Sequence, residues 1–231
     1  MKPITLSKRL LSASEFIRQG AYFADIGTDH AYLPIFLLCE GRVARAVCAD
    51  INKGPLDSAR KNAEEHGCSD RMEFVLTDGA EGLSDRGITD YAICGMGGEL
   101  IADIIDRSPH LKGVGIRLVL QPMSRQGVLR RYLSDNGFDT VGESYVLDGG
   151  KYYLCLAAEY TGARRQISDF EAEYGKACPR AELSPERLGY LETKLRALKK
   201  SVNGKRLGGE ECEREKALLF ELSRILENKG D

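Results

Sequence analysis

The sequence predicts an α/β fold: a largely parallel, Rossmann-like sheet with an antiparallel terminal strand, followed by a C-terminal α-helical hairpin of coiled-coil-like character. Three observations predict it. Strand-like and helix-like segments alternate through residue 136, and such alternation builds a parallel sheet covered on both faces. Two strand-like runs, 138–147 and 151–160, are then joined by Asp148-Gly149-Gly150, a hairpin signal with no crossover helix between them. Beyond Pro185, Leu188, Leu191, Leu195, Leu198 and Val202 recur at three- and four-residue spacings, and Cys212, Leu219, Leu222 and Leu226 resume a similar seam.

Each element has a local reason. Leu6, Leu10, Ala13 and Ile17 share one face of a lead-in helix over 6–17. An apolar run over 21–26 ends in Asp25-Ile26-Gly27, and a helical pattern resumes over 31–40, so a buried strand meets a tight turn and a helix N-terminus. Strand 43–49, helix 54–66, strands 72–76 and 90–94, helix 98–106, strand 116–120 and helix 125–136 follow. Right-handed crossovers bring every parallel strand's C-terminus to one edge, where ligands bind. A hairpin closing such a sheet is characteristic of class I S-adenosylmethionine-dependent methyltransferases; a nicotinamide-binding domain continues with another crossover. Residues 162–185 read as a polar connection with one short helix, and 203–209 (Asn-Gly-Lys-Arg-Leu-Gly-Gly) as the break in the helical hairpin. That hairpin is too short to hold itself together, so it is expected to lean on another surface. The expected division is a cofactor-binding domain over 1–161 and the hairpin over 162–231.

Composition narrows the function. In 231 residues, 42% hydrophobic content supports a real core, and a net charge of −2 exerts no global pull on nucleic acid. The distribution is uneven: 18 Lys and Arg face 22 Asp and Glu through residue 161, against 15 and 13 afterwards. A weakly basic tail on an acidic body suits a polyanionic partner. The seven cysteines lack CxxC spacing and mostly lie in apolar runs, which disfavours a disulfide framework or a zinc site. His30, His66 and His110 have no second ligand at metal spacing, so no metal is expected. No apolar run approaches membrane-spanning length, and the protein is expected to be soluble and cytoplasmic; a monomer is favoured, although the apolar seam of the helical hairpin serves either an RNA clamp or a dimer.

The turn at 25–30 carries the chemistry. Gly27 permits positive φ and close approach of a ligand to bare backbone. Phosphate sites at such turns offer backbone N–H groups and a cation; Asp25 and Asp29 instead offer carboxylates. These suit a cationic, hydroxyl-rich ligand, and S-adenosylmethionine has a sulfonium, an ammonium and ribose hydroxyls. Asp50 ends the second strand about 20 residues on, where a ribose-binding acid belongs; it can equally cap the following helix. Asp78-Gly79 after the third strand can hold adenine's exocyclic amine, or simply make an Asp-Gly turn. Thr28 and Ile51 adjoin these acids as further cofactor contacts. His30, beside Asp29, either binds the methionine carboxylate or caps a helix, and Arg9 on the lead-in helix is another partner for that carboxylate.

Gly95, Gly97 and Gly98 let a planar base and the cofactor methyl approach the fourth strand, with Met96 between them. The Asn-Pro-Pro-Tyr sequence common in amine methyltransferases is absent, which argues against the usual N6-adenine mechanism. Gln121 and Pro122 close the same edge. Arg125, Arg130 and Arg131 behind them either bind phosphates or form a solvated face. Lys194, Lys199, Lys200, Lys205 and Arg206 concentrate near the hairpin tip, where they either neutralise RNA phosphates or keep the surface soluble. Tyr32, Tyr152 and Tyr153 are candidate stacking platforms, or ordinary core and strand residues.

The segments Asp25-Ile26-Gly27-Thr28-Asp29-His30-Ala31-Tyr32-Leu33-Pro34, Gly95-Met96-Gly97-Gly98 and Leu120-Gln121-Pro122, in that order, resemble the bacterial tRNA adenine-N1 methyltransferases of the TrmK family. The resemblance covers residues 1 to about 160 closely, and the helical hairpin also looks like that family's second domain. It implies methylation of N1 of an adenine in the tRNA D-arm region, position 22, with S-adenosylmethionine as donor. It implies that Asp25, Gly27, Asp50, Asp78 and Gly79 bind the cofactor, that Gly95 and Met96 line its methyl, and that Asp29 lies nearest the chemistry. Rival readings are a small-molecule methyltransferase, a non-catalytic RNA-binding module and a nicotinamide dehydrogenase. The first calls for a lid over the pocket, the second for a decayed acid set and the third for GxGxxG; none of these features is present.

Overall fold

The structure is a computed structural model, and it describes residues 4–209 and 211–227. Seven strands form one sheet: β1 Tyr22–Ile26, β2 Arg45–Asp50, β3 Met72–Leu76, β4 Asp90–Gly97, β5 Arg117–Ser124, β6 Phe138–Asp148 and β7 Lys151–Tyr160. They stand in the order β3-β2-β1-β4-β5-β7-β6. The first five are parallel, and β7 enters antiparallel between β5 and β6. The expected fold class is therefore present, including the antiparallel closing strand.

Alternation along the strands sorts side chains onto two faces. Phe23, Cys48, Ala92, Val119 and Cys155 face one apolar layer. It is covered by α1 Lys8–Ser14, α2 Tyr32–Cys39 and α3 Lys53–Glu65. Tyr22, Ile26, Ile93, Leu120 and Leu156 face the other layer. That one holds α4 Gly98–Asp106, α5 Gln126–Asp135, α6 Asp169–Tyr174, α7 Pro185–Leu207 and α8 Glu213–Glu227.

Two helix boundaries differ from expectation. α1 begins later and ends earlier than 6–17. Asp148 in the β6–β7 turn accepts the Arg9 backbone N–H (3.3 Å), serving an orphan donor of the helix's first turn. Past Ser14 the chain tightens into three-residue turns, which bring Arg18 to the fully buried Asp90 (Nη2–Oδ2 2.7 Å). At the other end, α7 runs through Asn203 and Gly204 to Leu207, and the turn falls at Gly208-Gly209. A helical Gly costs about 1 kcal/mol against Ala; the Lys205–Glu215 ion pair joins α7 to α8 beyond it.

The hairpin does lean on the sheet. Tyr190, Leu191, Leu218, Leu222 and Leu226 belong to the same apolar layer as β6 and β7. Gly189 makes the contact possible: a Cβ there would lie 2.1 Å from the Tyr152 hydroxyl. Tyr152 is thereby a packing residue. Beside it, Arg130 is buried and paired with Glu143 (Nε–Oε1 2.6 Å), while Arg131 pairs with Asp169. The arginine face expected on α5 is thus a structural anchor; only Arg125 stays largely exposed, 3.7 Å from Glu99.

Candidate active site

The C-terminal edge of the sheet holds a cleft of about 500 Å³ between α1, the β1–α2 turn and the end of β4. Arg9, Asp25, Gly27, Asp29, His30, Tyr32 and Gly95, scattered over 87 positions of sequence, line it together. Thr5, Leu6, Ser7 and Leu10 close the α1 side, a contribution that helical periodicity alone did not assign to a ligand.

The β1–α2 turn is built around Gly27, whose φ of +73° strains any residue with a side chain. The Gly27 and Thr28 N–H groups both donate to the Ala49 carbonyl (2.8 and 3.0 Å), which pins the turn to β2. Met96 folds over it: a Cβ on Gly27 would lie 2.1 Å from the Met96 methyl. At the start of α2, Ala31 adopts φ +54°, and Asn62 of α3 donates to the His30 carbonyl (2.9 Å).

Asp25 is buried at the floor of this turn, and loss of hydration pushes its carboxyl up to about 7. Asp50 adds to the rise, and the Thr28 hydroxyl opposes it. That hydroxyl falls short of ordinary hydrogen-bond geometry and is buried without a partner among the described residues. A buried carboxylate and a buried, unsatisfied hydroxyl at one glycine turn fit an incoming cationic ligand with polar hydrogens. Arg9 supplies the opposite charge. Its Nη1 donates to Gln121 Oε1 (3.0 Å), so the guanidinium is held at the cleft wall.

Asp29 projects outward, its side chain 79% exposed, with His30 Nε2 3.6 Å from Oδ2. The His30 ring stacks on Tyr32 (centroids 5.3 Å, planes 29° apart), and Tyr32 is itself 44% exposed. A carboxylate and an open aromatic face thus flank the mouth of the cleft.

Asp50, Ile51, Asp78 and Gly79 lie farther along the same edge, at the ends of β2 and β3, outside the cleft lining. Asp50 Oδ1 accepts the Asn52 N–H (2.7 Å) in a local turn rather than capping α3. Ile51 is 61% exposed. Gly79 (φ +61°) sits on Ile104, and Asp78 is paired with Arg107 of the α4 terminus, a partner the sequence reading did not identify.

Several expected substrate contacts are corrected. Gln121 and Pro122 are buried, so they face protein; Gln121 holds Arg9 and points its amide at Met123 Sδ (3.5 Å). Gly98 is buried because α4 starts against the β5–α5 loop, where a Cβ would lie 2.4 Å from the Arg125 carbonyl oxygen. Gly97 remains half-buried beside it. Lys194 lies over the Tyr190 ring (5.1 Å), and burial lowers its pKa, so it is no phosphate contact at the tip. Lys199, Lys200 and Arg206 are exposed, and Lys205 is paired with Glu215. Tyr153 is half-buried near the start of β7 and therefore on the cleft edge of the sheet. Among the described residues there is no group of His, Cys, Asp and Glu able to hold a metal, and no helix is long and apolar enough to cross a membrane.

A family model for a methyltransferase domain matches residues 6–156. The chain is also 34% identical to the Bacillus subtilis tRNA (adenine(22)-N(1))-methyltransferase over 159 residues, covering 69% of this chain and 67% of that enzyme. The chain belongs to the TrmK family. A Streptococcus pneumoniae protein solved in complex with S-adenosyl-L-methionine is similar over 96% of this chain and 100% of its own, with 30% identity and a TM-score of 0.83. The crystal structure of Bacillus subtilis TrmK is 28% identical over 97% of both chains, with a TM-score of 0.76. At such coverage the TrmK likeness extends through the helical hairpin as well as the sheet.

Proposed function

We infer that this protein transfers a methyl group from S-adenosyl-L-methionine to N1 of an adenine in tRNA, at position 22. The observation that carries the reading is the Asp25–Gly27–Asp29 turn in one cleft with Arg9, within a chain of the TrmK family. In this assignment Asp25 faces the methionine ammonium, Arg9 the carboxylate, Asp50 the ribose hydroxyls and Asp78 the adenine amine. Thr28 and His30 complete the methionine end, and Gly27, Gly95 and Met96 leave a shallow wall beside the methyl.

The cofactor supplies an electrophilic methyl on a sulfonium. Adenine N1 presents an in-plane lone pair, so no base must first remove a proton. As N1 bonds to the methyl carbon the S–C bond breaks, and positive charge spreads from the ring to the N6 amino group. Asp29, exposed at the mouth, accepts a hydrogen bond from N6. That bond strengthens as the charge develops, so it lowers the barrier rather than merely binding substrate. N1 lies on the Watson–Crick edge, and a paired adenine must leave its stack to react; the open face of Tyr32 offers the flipped base a platform, with Tyr153 on the same edge. We assign residues 162–231 to tRNA engagement, through Lys199, Lys200 and Arg206.

The reading is tested with labelled cofactor and two tRNA transcripts, one with adenine at position 22 and one with guanine there. Label is expected in the first alone; equal labelling of both would overturn the position. Replacing Lys199, Lys200 and Arg206 together with Gln should raise KM for tRNA and flatten its salt dependence, with cofactor affinity unchanged. An unchanged salt slope would return those charges to solubility.

A further inference from the structure

The loop after β3 is docked on α4 by two kinds of contact. Gly79 seats its bare Cα on the Ile104 side chain. Arg107, just past the end of α4, extends its guanidinium among three carboxylates. Nη2 and Nη1 reach Asp78 Oδ1 and Oδ2 (3.2 and 3.3 Å), Nη1 also reaches Glu81 (2.6 Å), and Nε reaches Asp103 (3.0 Å). The two bonds to Asp78 form a fork, one N–H to each oxygen.

We propose that Arg107 is a positioning residue that fixes the plane of the Asp78 carboxylate, and thereby selects a cofactor base bearing an exocyclic amine. The inference rests on the assignment of Asp78 to the adenine. An ionised carboxylate has about four lone-pair sites, and the fork occupies one on each oxygen. The remaining sites accept only donors, and Asp78 is half exposed, so a ligand N–H₂ can reach them. A base with a carbonyl in place of the amine would set oxygen against oxygen there. Without Arg107, Asp78, Glu81 and Asp103 lose the cation they share, and the Asp78 side chain is free to turn into solvent. Lys cannot replace it fully, because an ammonium carries the charge without the fork.

The test compares binding of S-adenosyl-L-homocysteine with that of its deaminated analogue, S-inosyl-L-homocysteine, in four proteins: the parent, Arg107→Gln, Asp78→Ala and the double variant. The parent is expected to prefer the adenosyl ligand by tenfold or more. Arg107→Gln should weaken the adenosyl ligand about tenfold while moving the inosyl ligand less than twofold, so the preference collapses. The double variant should bind like Asp78→Ala alone, and Arg107→Lys should recover only part of the preference. Equal weakening of both ligands in Arg107→Gln would make Arg107 a stabilising residue only and overturn the proposal. An unchanged preference in Asp78→Ala would instead remove the Asp78 assignment, and the proposal with it. A preference lost in Asp78→Ala but kept in Arg107→Gln would leave the assignment standing and reject Arg107 alone.

Discussion

Asp25→Asn should melt at a higher temperature than the parent at pH 8 and should no longer bind S-adenosyl-L-methionine well. Burial raises the Asp25 carboxyl from its ordinary 3.8 to about 7 in the folded chain. Between those values the native state holds a proton that the unfolded state has released, so stability falls as pH rises through that window and levels off above 7. At pH 8 the folded protein therefore bears the full cost of a buried carboxylate, on the order of 4 kcal/mol. The isosteric amide removes that charge. Paired melts should accordingly differ little at pH 4 and diverge by several degrees toward pH 8. The proposed function makes the same carboxylate the counter-charge for the cofactor ammonium, so the variant's Kd should rise at least tenfold. For the parent, cofactor affinity should strengthen from pH 6 to pH 8 as Asp25 ionises. Identical melting profiles for the two proteins would place the raised pKa, and the cost attributed to it, in doubt. An unchanged Kd would remove Asp25 from the ammonium site.

Asp29→Ala is expected to separate chemistry from binding. The side chain is 79% exposed, and among the described residues its polar side-chain contact is the 3.6 Å approach of His30 Nε2, so its loss leaves the fold intact. The role proposed for it lies in the transition state, so kcat should fall more than tenfold while the cofactor Kd stays within twofold. Wild-type turnover would take Asp29 out of the mechanism. A Kd rising in step with the loss of kcat would make it a cofactor ligand instead.

The acids and the glycine at 25–29 were legible in the sequence because a tight turn at a strand end is a local event. It needs a residue free to take positive φ and polar groups beside it, all within five positions. The closing hairpin was legible for the same reason: Asp148-Gly149-Gly150 forces a reversal whatever surrounds it. Gln121 was misread because its neighbour is 112 positions away. A Gln after a strand looks available until α1 covers that end of the sheet and Arg9 claims the amide. Arg107 went unassigned because only the β3–α4 approach converts a solvent-side arginine into the partner of Asp78. The helical hairpin's tip moved because the Asn203-Gly204 penalty is small beside the packing of two helices on a sheet, and local propensity then yields. Lys194 shows the reverse error, a charge counted as surface that lies over Tyr190.

The proposed function makes adenine N1 in tRNA the attacking atom. Its most direct test is methyl transfer from labelled S-adenosyl-L-methionine to unmodified bacterial tRNA, with digestion and nucleoside analysis of the product. The label should run with 1-methyladenosine. Label in N6-methyladenosine, or a tRNA left unlabelled by protein that binds the cofactor, would contradict it.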